Sequence, residues 1–563
     1  MLTPNAVLFA AQLVSRLIIE PDVLATHDTS TPHVEMMVAA SPVDARRLLA
    51  TTIVDNRTKT YSSADGGYSW SGHDFEDPEV LAGGSDPQTL YTRRGTGVFV
   101  TLGTAKRPNG RARSSILVFR SEDGGTTWGP KIEIGPGSTW DRPIVAIDEQ
   151  GSIYVAATTF DTNGAYQAAV MRSDDDGRTF TAPRVIYRAP ENVVMNVLGL
   201  VPLSSGKIIA MFMQSHTLSS EVSSDRGATW SEPHKAAEWS LPKDREQELS
   251  RYETWPAFAG DGERIYGVWT NMSDGTPRVE LASSKDGISW SDARIVERGT
   301  APQYAPAIAT GGGAVAITWF DARELKEPGT YRVRFTASTD HGETFLPSRI
   351  ISSEVSQALG HGNTTPDPAA FVDRRSVQRI AFVSAADRFF TGGDFGGLAA
   401  DRDGVFHPFW ADSRSGTFQS WTTRVHIARD AAAPCIAQSA PTDISKRAVL
   451  VADPFVPAAP NELAIPFRIR NDGDAPISGP ITVEVLGFGD GPNGDMNRES
   501  IPAILNAPNG KSGAGAVFDY SESLSDLCGL PPGASTRAVV WRLRSPDGAH
   551  IPLMSVAIHG VVQ

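Results

Sequence analysis

Cysteine is nearly absent from this chain. Its 563 residues hold two, Cys435 and Cys528, which excludes a fold built on a lattice of disulfides. A bridge between the two would close a loop of nearly a hundred residues and stabilise by roughly 4–5 kcal/mol in the chain-entropy account. That reading points to a place outside the cytoplasm; unbridged, the pair are two buried thiols. Long apolar runs are also missing: none reaches the roughly 18 residues of a membrane-spanning helix, so a soluble chain with no membrane span is expected. The opening M-L-T-P-N-A-V-L-F-A-A-Q-L-V-S-R has no Lys or Arg ahead of its apolar run and no clean small-x-small cleavage site, which makes it a poor secretory signal and leaves a strand as the alternative. Basic charge is in deficit, with 51 Lys and Arg against 65 Asp and Glu and a net charge of −14. Such a balance argues against nucleic acid as a partner.

What the sequence does have is repetition. S-A-D-G-G-Y-S-W at 63–70 returns as S-E-D-G-G-T-T-W from Ser121, S-D-D-D-G-R-T-F from Ser173, S-S-D-R-G-A-T-W from Ser223, S-S-K-D-G-I-S-W from Ser283 and S-T-D-H-G-E-T-F from Ser338. The shared pattern is Ser-x-Asp-x-Gly-x-(Ser/Thr)-(Trp/Phe). In the fifth copy Lys285 holds the Asp position and Asp286 sits beside it. Asp in a tight turn accepts backbone N–H bonds, Gly supplies positive φ, and the aromatic packs between sheets. Copies fall roughly 50–60 residues apart, near the spacing of four-stranded propeller blades. First strands near Val34, Pro87, Pro143, Met195, Pro256 and Pro306, with a turnless segment from Phe395, give seven blades. The seventh is short of its outer strand, which Leu13–Glu20 can supply. Beyond Asp430 a Pro/Ala-rich stretch leads to alternating runs such as E-L-A-I-P-F-R-I-R, read as a β-sandwich. The predicted organisation is thus all-β: an N-terminal segment 1–30, a seven-bladed propeller 31–430, a linker 431–445 and a C-terminal β-sandwich 446–563.

The repeated turns resemble the Asp boxes of sialidases and related bacterial-neuraminidase-repeat proteins, over roughly residues 31–428. The resemblance implies a sialidase-like β-propeller whose boxes lie away from the active site, an exported glycosidase of the sialidase type, and an acidic sugar as substrate. It implies three arginines around a substrate carboxylate, a tyrosine nucleophile activated by a glutamate, and an aspartic acid/base, Tyr being an exception to the usual pair of carboxylates. The Arg-Ile-Pro that sialidases carry ahead of the first box has no counterpart; Arg142-Pro143, after the second, is nearest.

Propeller ligand sites lie at one end of the channel, at the starts of first strands and in the loops between second and third strands. Those positions hold His33, Glu35, Asp86, Gln88, Trp140, Asp141, Arg142, Asn192, Asn196, Arg251, Tyr252, Glu253, Trp255, Gln303 and Tyr304, then Asp321, Arg323, Tyr331, Arg332, Asp412, Arg414 and Gln419. Arginine forks suit carboxylates, and aromatic faces stack on sugars. Candidate catalytic groups are Glu253, Tyr331, Asp141 and Asp86; candidate substrate-binding groups are Arg142, Arg251, Tyr252, Trp255, Tyr304, Arg323, Arg332 and Arg414. The W-x-D-x-R pattern at 319–323 and again at 410–414 also reads as a structural brace. His33, His361 and His407 read as surface or loop histidines rather than metal ligands, because no pair has zinc-site spacing. No metal or cofactor is implied, and a monomer is expected. A uronate-specific polysaccharide lyase and a non-catalytic glycan- or protein-binding propeller remain as alternatives to the hydrolase.

Overall fold

The structure, a computed structural model, describes residues 15–562 apart from 27–29, 56, 107–111, 240–251, 253, 273–274, 324, 328, 359, 361, 364–390, 429–439, 456, 460, 489–501, 525–528 and 546–549. Arg251, Glu253, His361, Cys435 and Cys528 lie outside the described residues. Up to Ala428 the chain folds into seven antiparallel sheets among those residues. Their first strands are His33–Ala40, Ser85–Tyr91, Trp140–Ile147, Met195–Pro202, Ala257–Gly260, Gln303–Gly311 and Gly397–Ala400. Each packs against the next, and the seventh returns to the first. The sheets therefore form a propeller-like ring of blades around a channel. Second strands are buried on both faces between neighbouring blades, so Ala314–Asp321 is buried at every position. Such strands read as unbroken apolar runs.

The N-terminal segment completes blade seven. Arg16–Ile19 pairs antiparallel with Val425–Ala428, and Val23–Leu24 pairs with Trp421 and Thr422. One blade is thus sewn from both ends of the propeller.

All six repeated turns join third to fourth strands and share one hydrogen-bond pattern. In the second, the Ser121 hydroxyl donates to Asp123 Oδ1 at 2.8 Å and accepts from Gly125 N–H at 2.7 Å, while Thr127 donates its N–H and hydroxyl to the same carboxylate at 2.9 and 2.6 Å. The fifth is regular once its anchor moves by one residue: Ser284, not Ser283, donates to Asp286 Oδ1 at 3.0 Å and accepts from Gly287 N–H at 2.9 Å. One residue is missing between Asp and Gly, so Lys285 is never in the Asp position. Because strands alternate direction, these turns sit at the opposite end of each blade from the start of its first strand.

Two of the three histidines read as surface or loop residues are buried instead. His33 is fully buried with Nε2 2.9 Å from the Tyr61 hydroxyl, and His407 with Nε2 3.0 Å from Asp401 Oδ2. Each lies in a strand pressed between blades seven and one, and a polar partner offsets its burial.

The C-terminal region is a sandwich of two sheets, one led by Ile477–Phe488 and Met554–Val562, the other by Glu462–Asn471 and Val539–Arg544. Its core centres on Trp541, stacked on Phe518 at 4.0 Å with its indole N–H donated to Tyr520 at 3.1 Å. The sandwich starts earlier than expected, since Thr442–Asp443, inside the stretch read as linker, pairs with Gly560 and His559.

Asp123→Ala removes three hydrogen bonds at one turn and is expected to cost about 1–2 kcal/mol in chemical denaturation, with chemistry at the channel's other end unchanged. Burial raises the turn carboxylates, but the hydroxyl and N–H donors outweigh it and hold Asp123, Asp175 and Asp340 down to about 2. Their contribution is therefore present above the ordinary value of 3.8 and lost as pH falls toward 2. Glu221 has the opposite sign. Burial first, then Glu232, push its carboxyl up to about 8 from 4.5, and its Oε2 has no hydrogen-bond partner among the described residues. Glu221→Gln is accordingly expected to raise the melting temperature at pH 8 and leave it unchanged at pH 4.

Candidate functional site

Four first strands share a distortion at their start. Register slips occur between Val34 and Met37, Ser85 and Gln88, Asp141 and Ile144, and Tyr304 and Ala307. Inside each slip one residue takes a left-handed backbone: Glu35 (φ 56°), Asp86 (φ 47°), Arg142 (φ 50°) and Ala305 (φ 54°). Proline follows the last three. It disfavours the right-handed helical region for the residue before it and takes no part as a ladder donor. A left-handed non-glycine residue costs on the order of 1–3 kcal/mol, and such strain gathers at functional sites. The bulges re-aim their side chains, and three of the four are charged.

These charges converge through Arg142. Its Nη2 donates to Asp394 Oδ2 at 2.7 Å, its guanidinium lies 3.8 Å from the centre of the Trp255 ring, and its backbone N–H donates to the Asp86 carboxyl. Blades two, three, five and seven thereby meet at one cation. Backbone bonds tighten the assembly: Trp255 N–H donates to Asp394 O at 3.1 Å and Glu35 N–H to Gly392 O at 2.8 Å. Gly393 must be glycine here, because it holds φ +120° and a Cβ would sit 2.5 Å from the Glu35 nitrogen.

Asp86 is 8% exposed. Burial, then the negative charges of Asp141 and Asp394, push its carboxyl up to about 7, although Arg142 pulls the other way. At the starts of the same strands, Arg142 Nη1, Trp255 Nε1, Gln88 Nε2 and Thr254 Oγ1 are buried with no hydrogen-bond partner among the described residues. Buried donors left this way cost free energy unless something accepts from them. No group of three or more His, Cys, Asp or Glu among the described residues could hold a metal ion.

Of the residues picked from the sequence, Asp86, Asp141, Arg142 and Trp255 come together here. Tyr252 is half-buried, edge-on to Tyr304 at 4.8 Å. Tyr304 and Tyr331 are core residues: Tyr331 is fully buried, donates its hydroxyl to Ala411 O at 2.6 Å and stacks on Phe320 at 4.1 Å. Burial raises both phenols well above their ordinary range. Neither hydroxyl is placed to attack a substrate. Arg323 grips Asp321 and Glu297, and Arg414 grips Asp412 and Asp22. The indoles of Trp319 and Trp410 donate to the same two aspartates, Asp321 and Asp412, so W-x-D-x-R is a repeated brace. Arg332 reaches the carbonyls of Ser352 and Ser353 at 3.4 Å. Asp394 went unnoticed in the sequence; its only signal is that it directly precedes F-G-G, where blade seven opens.

No protein-family model and no curated protein matches the sequence. Solved structures of similar fold include a leech intramolecular trans-sialidase (10% identity, 74% of this chain and 94% of that one, TM-score 0.39). Others are an α-L-arabinofuranosidase of Fusarium graminearum complexed with arabinobiose (13%, 54% and 92%, 0.38) and an ulvan lyase bound to a saccharide (11%, 73% and 96%, 0.41). Likeness at these TM-scores carries no argument, and chemistry has to come from the site's own residues.

Asp141→Asn should lower the midpoint at which Asp86 titrates, since it deletes the nearest like charge. Carboxyl NMR across pH 4–9 measures it, and a midpoint that stays put would detach the two groups.

Proposed function

We propose that this chain is a glycoside hydrolase that works at the channel mouth with Asp86 as its general acid. The observation that carries the reading is a buried carboxyl, Asp86, pushed up to about 7 by burial and by the charge of a second carboxylate, Asp141, in a cluster whose Arg142 and Trp255 carry buried donors with no acceptor among the described residues. Two carboxyls in unequal surroundings are what hydrolysis of a glycosidic bond requires. Asp86 gives its proton to the glycosidic oxygen as the bond to the anomeric carbon breaks. Asp141 stabilises the developing cationic ring, or activates the water that replaces the leaving sugar. Arg142 and Trp255 position the substrate, and the unpaired donors take its hydroxyl oxygens.

A tyrosine nucleophile of the sialidase kind is less well supported, because Tyr304 and Tyr331 are sealed in the core. A lyase would need a cation free to neutralise a uronate carboxylate, and Arg142 already spends one arm on Asp394.

The test is a panel of aryl glycosides, sialosides included, run beside uronate polysaccharides followed by ultraviolet absorbance. Glycoside release is expected, with kcat/KM falling by roughly 10²–10⁴ in Asp86→Asn. Leaving groups acidic enough to depart without a proton should suffer less. Full activity in Asp86→Asn would remove the acid from the scheme, and absorbance growth without glycoside release would make the protein a lyase.

A further inference from the structure

A cavity of about 230 Å³ lies where blade seven meets the sandwich. It is outside the cluster around Arg142 and stands on its own observations. Trp421, Arg414 and Arg468 line it together with Asp453, Pro466 and Val540. The Arg414 guanidinium sits 3.9 Å from the centre of the Trp421 ring and that of Arg468 5.2 Å from it. The N-terminal strap ties both domains together here, since Asp22 pairs with Arg414 at 2.9 Å and with Arg468 at 3.6 Å.

Two features mark the cavity as more than a packing gap. Arg414 Nε and Trp421 Nε1 are buried with no hydrogen-bond partner among the described residues, although the residues that carry them line an open space. The volume exceeds that of several waters at about 30 Å³ each and falls short of the roughly 300 Å³ where drug-sized pockets begin, which suits one sugar ring. Charge decides the class of ligand. Arg414 is matched by Asp22 and Asp412, and Arg468 by Asp453 at 2.6 Å. The two cations are thus neutralised in place, and an added anion would meet carboxylates without gaining a free cation. A neutral polyhydroxyl ring can accept from the two unpaired N–H groups, donate to Asp453 and rest its apolar face on Pro466 and Val540. Arg414 stands in the loop between second and third strands, at the same end of the propeller as the channel mouth. We infer that this junction is a second carbohydrate site, which holds one neutral sugar unit through Trp421 and Arg414 and makes the sandwich half of a binding surface.

The test is titration calorimetry on the full chain with methyl glycosides of glucose, galactose, arabinose and rhamnose, with tryptophan fluorescence as a second readout. Arg142→Met silences the channel mouth, so binding that remains in that variant belongs to the junction. Ala538→Trp fills the cavity from its sandwich wall, and Trp421→Phe removes one of the unpaired N–H groups. Binding of at least one neutral glycoside is expected in Arg142→Met, weakened tenfold or more by either added substitution, with the melting temperature confirming the fold. Binding to none of the four, or binding that Ala538→Trp leaves intact, would overturn the inference, as would a preference for glucuronate over glucose. Loss of hydrolysis in Asp86→Asn leaves these outcomes unaffected, so the two sites stand or fall separately.

Discussion

One guanidinium organises the end of this propeller at which the first strands begin. Arg142 is held in a left-handed bulge by the proline after it, lies over Trp255, and bonds Asp394 across 252 residues of chain. Two unit charges about 4 Å apart at an effective dielectric of about 20 interact by roughly 4 kcal/mol. Arg142 offsets the like charges of Asp394, Asp86 and Asp141 that gather around it. Burial and the like charges of Asp141 and Asp394 still leave the Asp86 carboxyl pushed up to about 7. The same contact that closes the channel mouth therefore sets the protonation state on which the proposed chemistry depends.

The two ends of each blade divide the work. At one end the Ser-x-Asp turns satisfy their own donors within a few residues, and the carboxylates of Asp123, Asp175, Asp225 and Asp340 are held well below the ordinary range. At the other end the strands begin with strained backbone, unpaired donors and a carboxyl raised toward neutrality. Rigid turns and a ring sewn shut by Arg16–Ile19 and Val23–Leu24 hold that strained end in place.

This division explains what could be read in the sequence. The turns were legible because every bond in them spans two to four residues, and only the shortened fifth copy was misaligned by a position. Asp86-Pro87 and Asp141-Arg142-Pro143 were legible as strand starts, and they carry the bulges that bring Asp86, Asp141 and Arg142 together. Asp394 was not, because its importance comes from Arg142, far away in the chain. Tyr331 was misjudged for a related reason: whether its hydroxyl reaches solvent is decided by Ala411, 80 residues on and in the next blade. His33 and His407 are likewise buried by strands that come from elsewhere. Contacts between blades leave no local pattern, and the sequence shows local patterns only.

The central claim is that Asp86 must carry its proton during turnover, and the pH dependence of kcat/KM tests it most directly. For a glycoside with a poor leaving group, the account predicts a rate that falls above about pH 7, the value to which burial and Asp141 push the Asp86 carboxyl, and a limb that is absent in Asp86→Asn. The same falling limb persisting in Asp86→Asn would contradict it and assign the proton to another group.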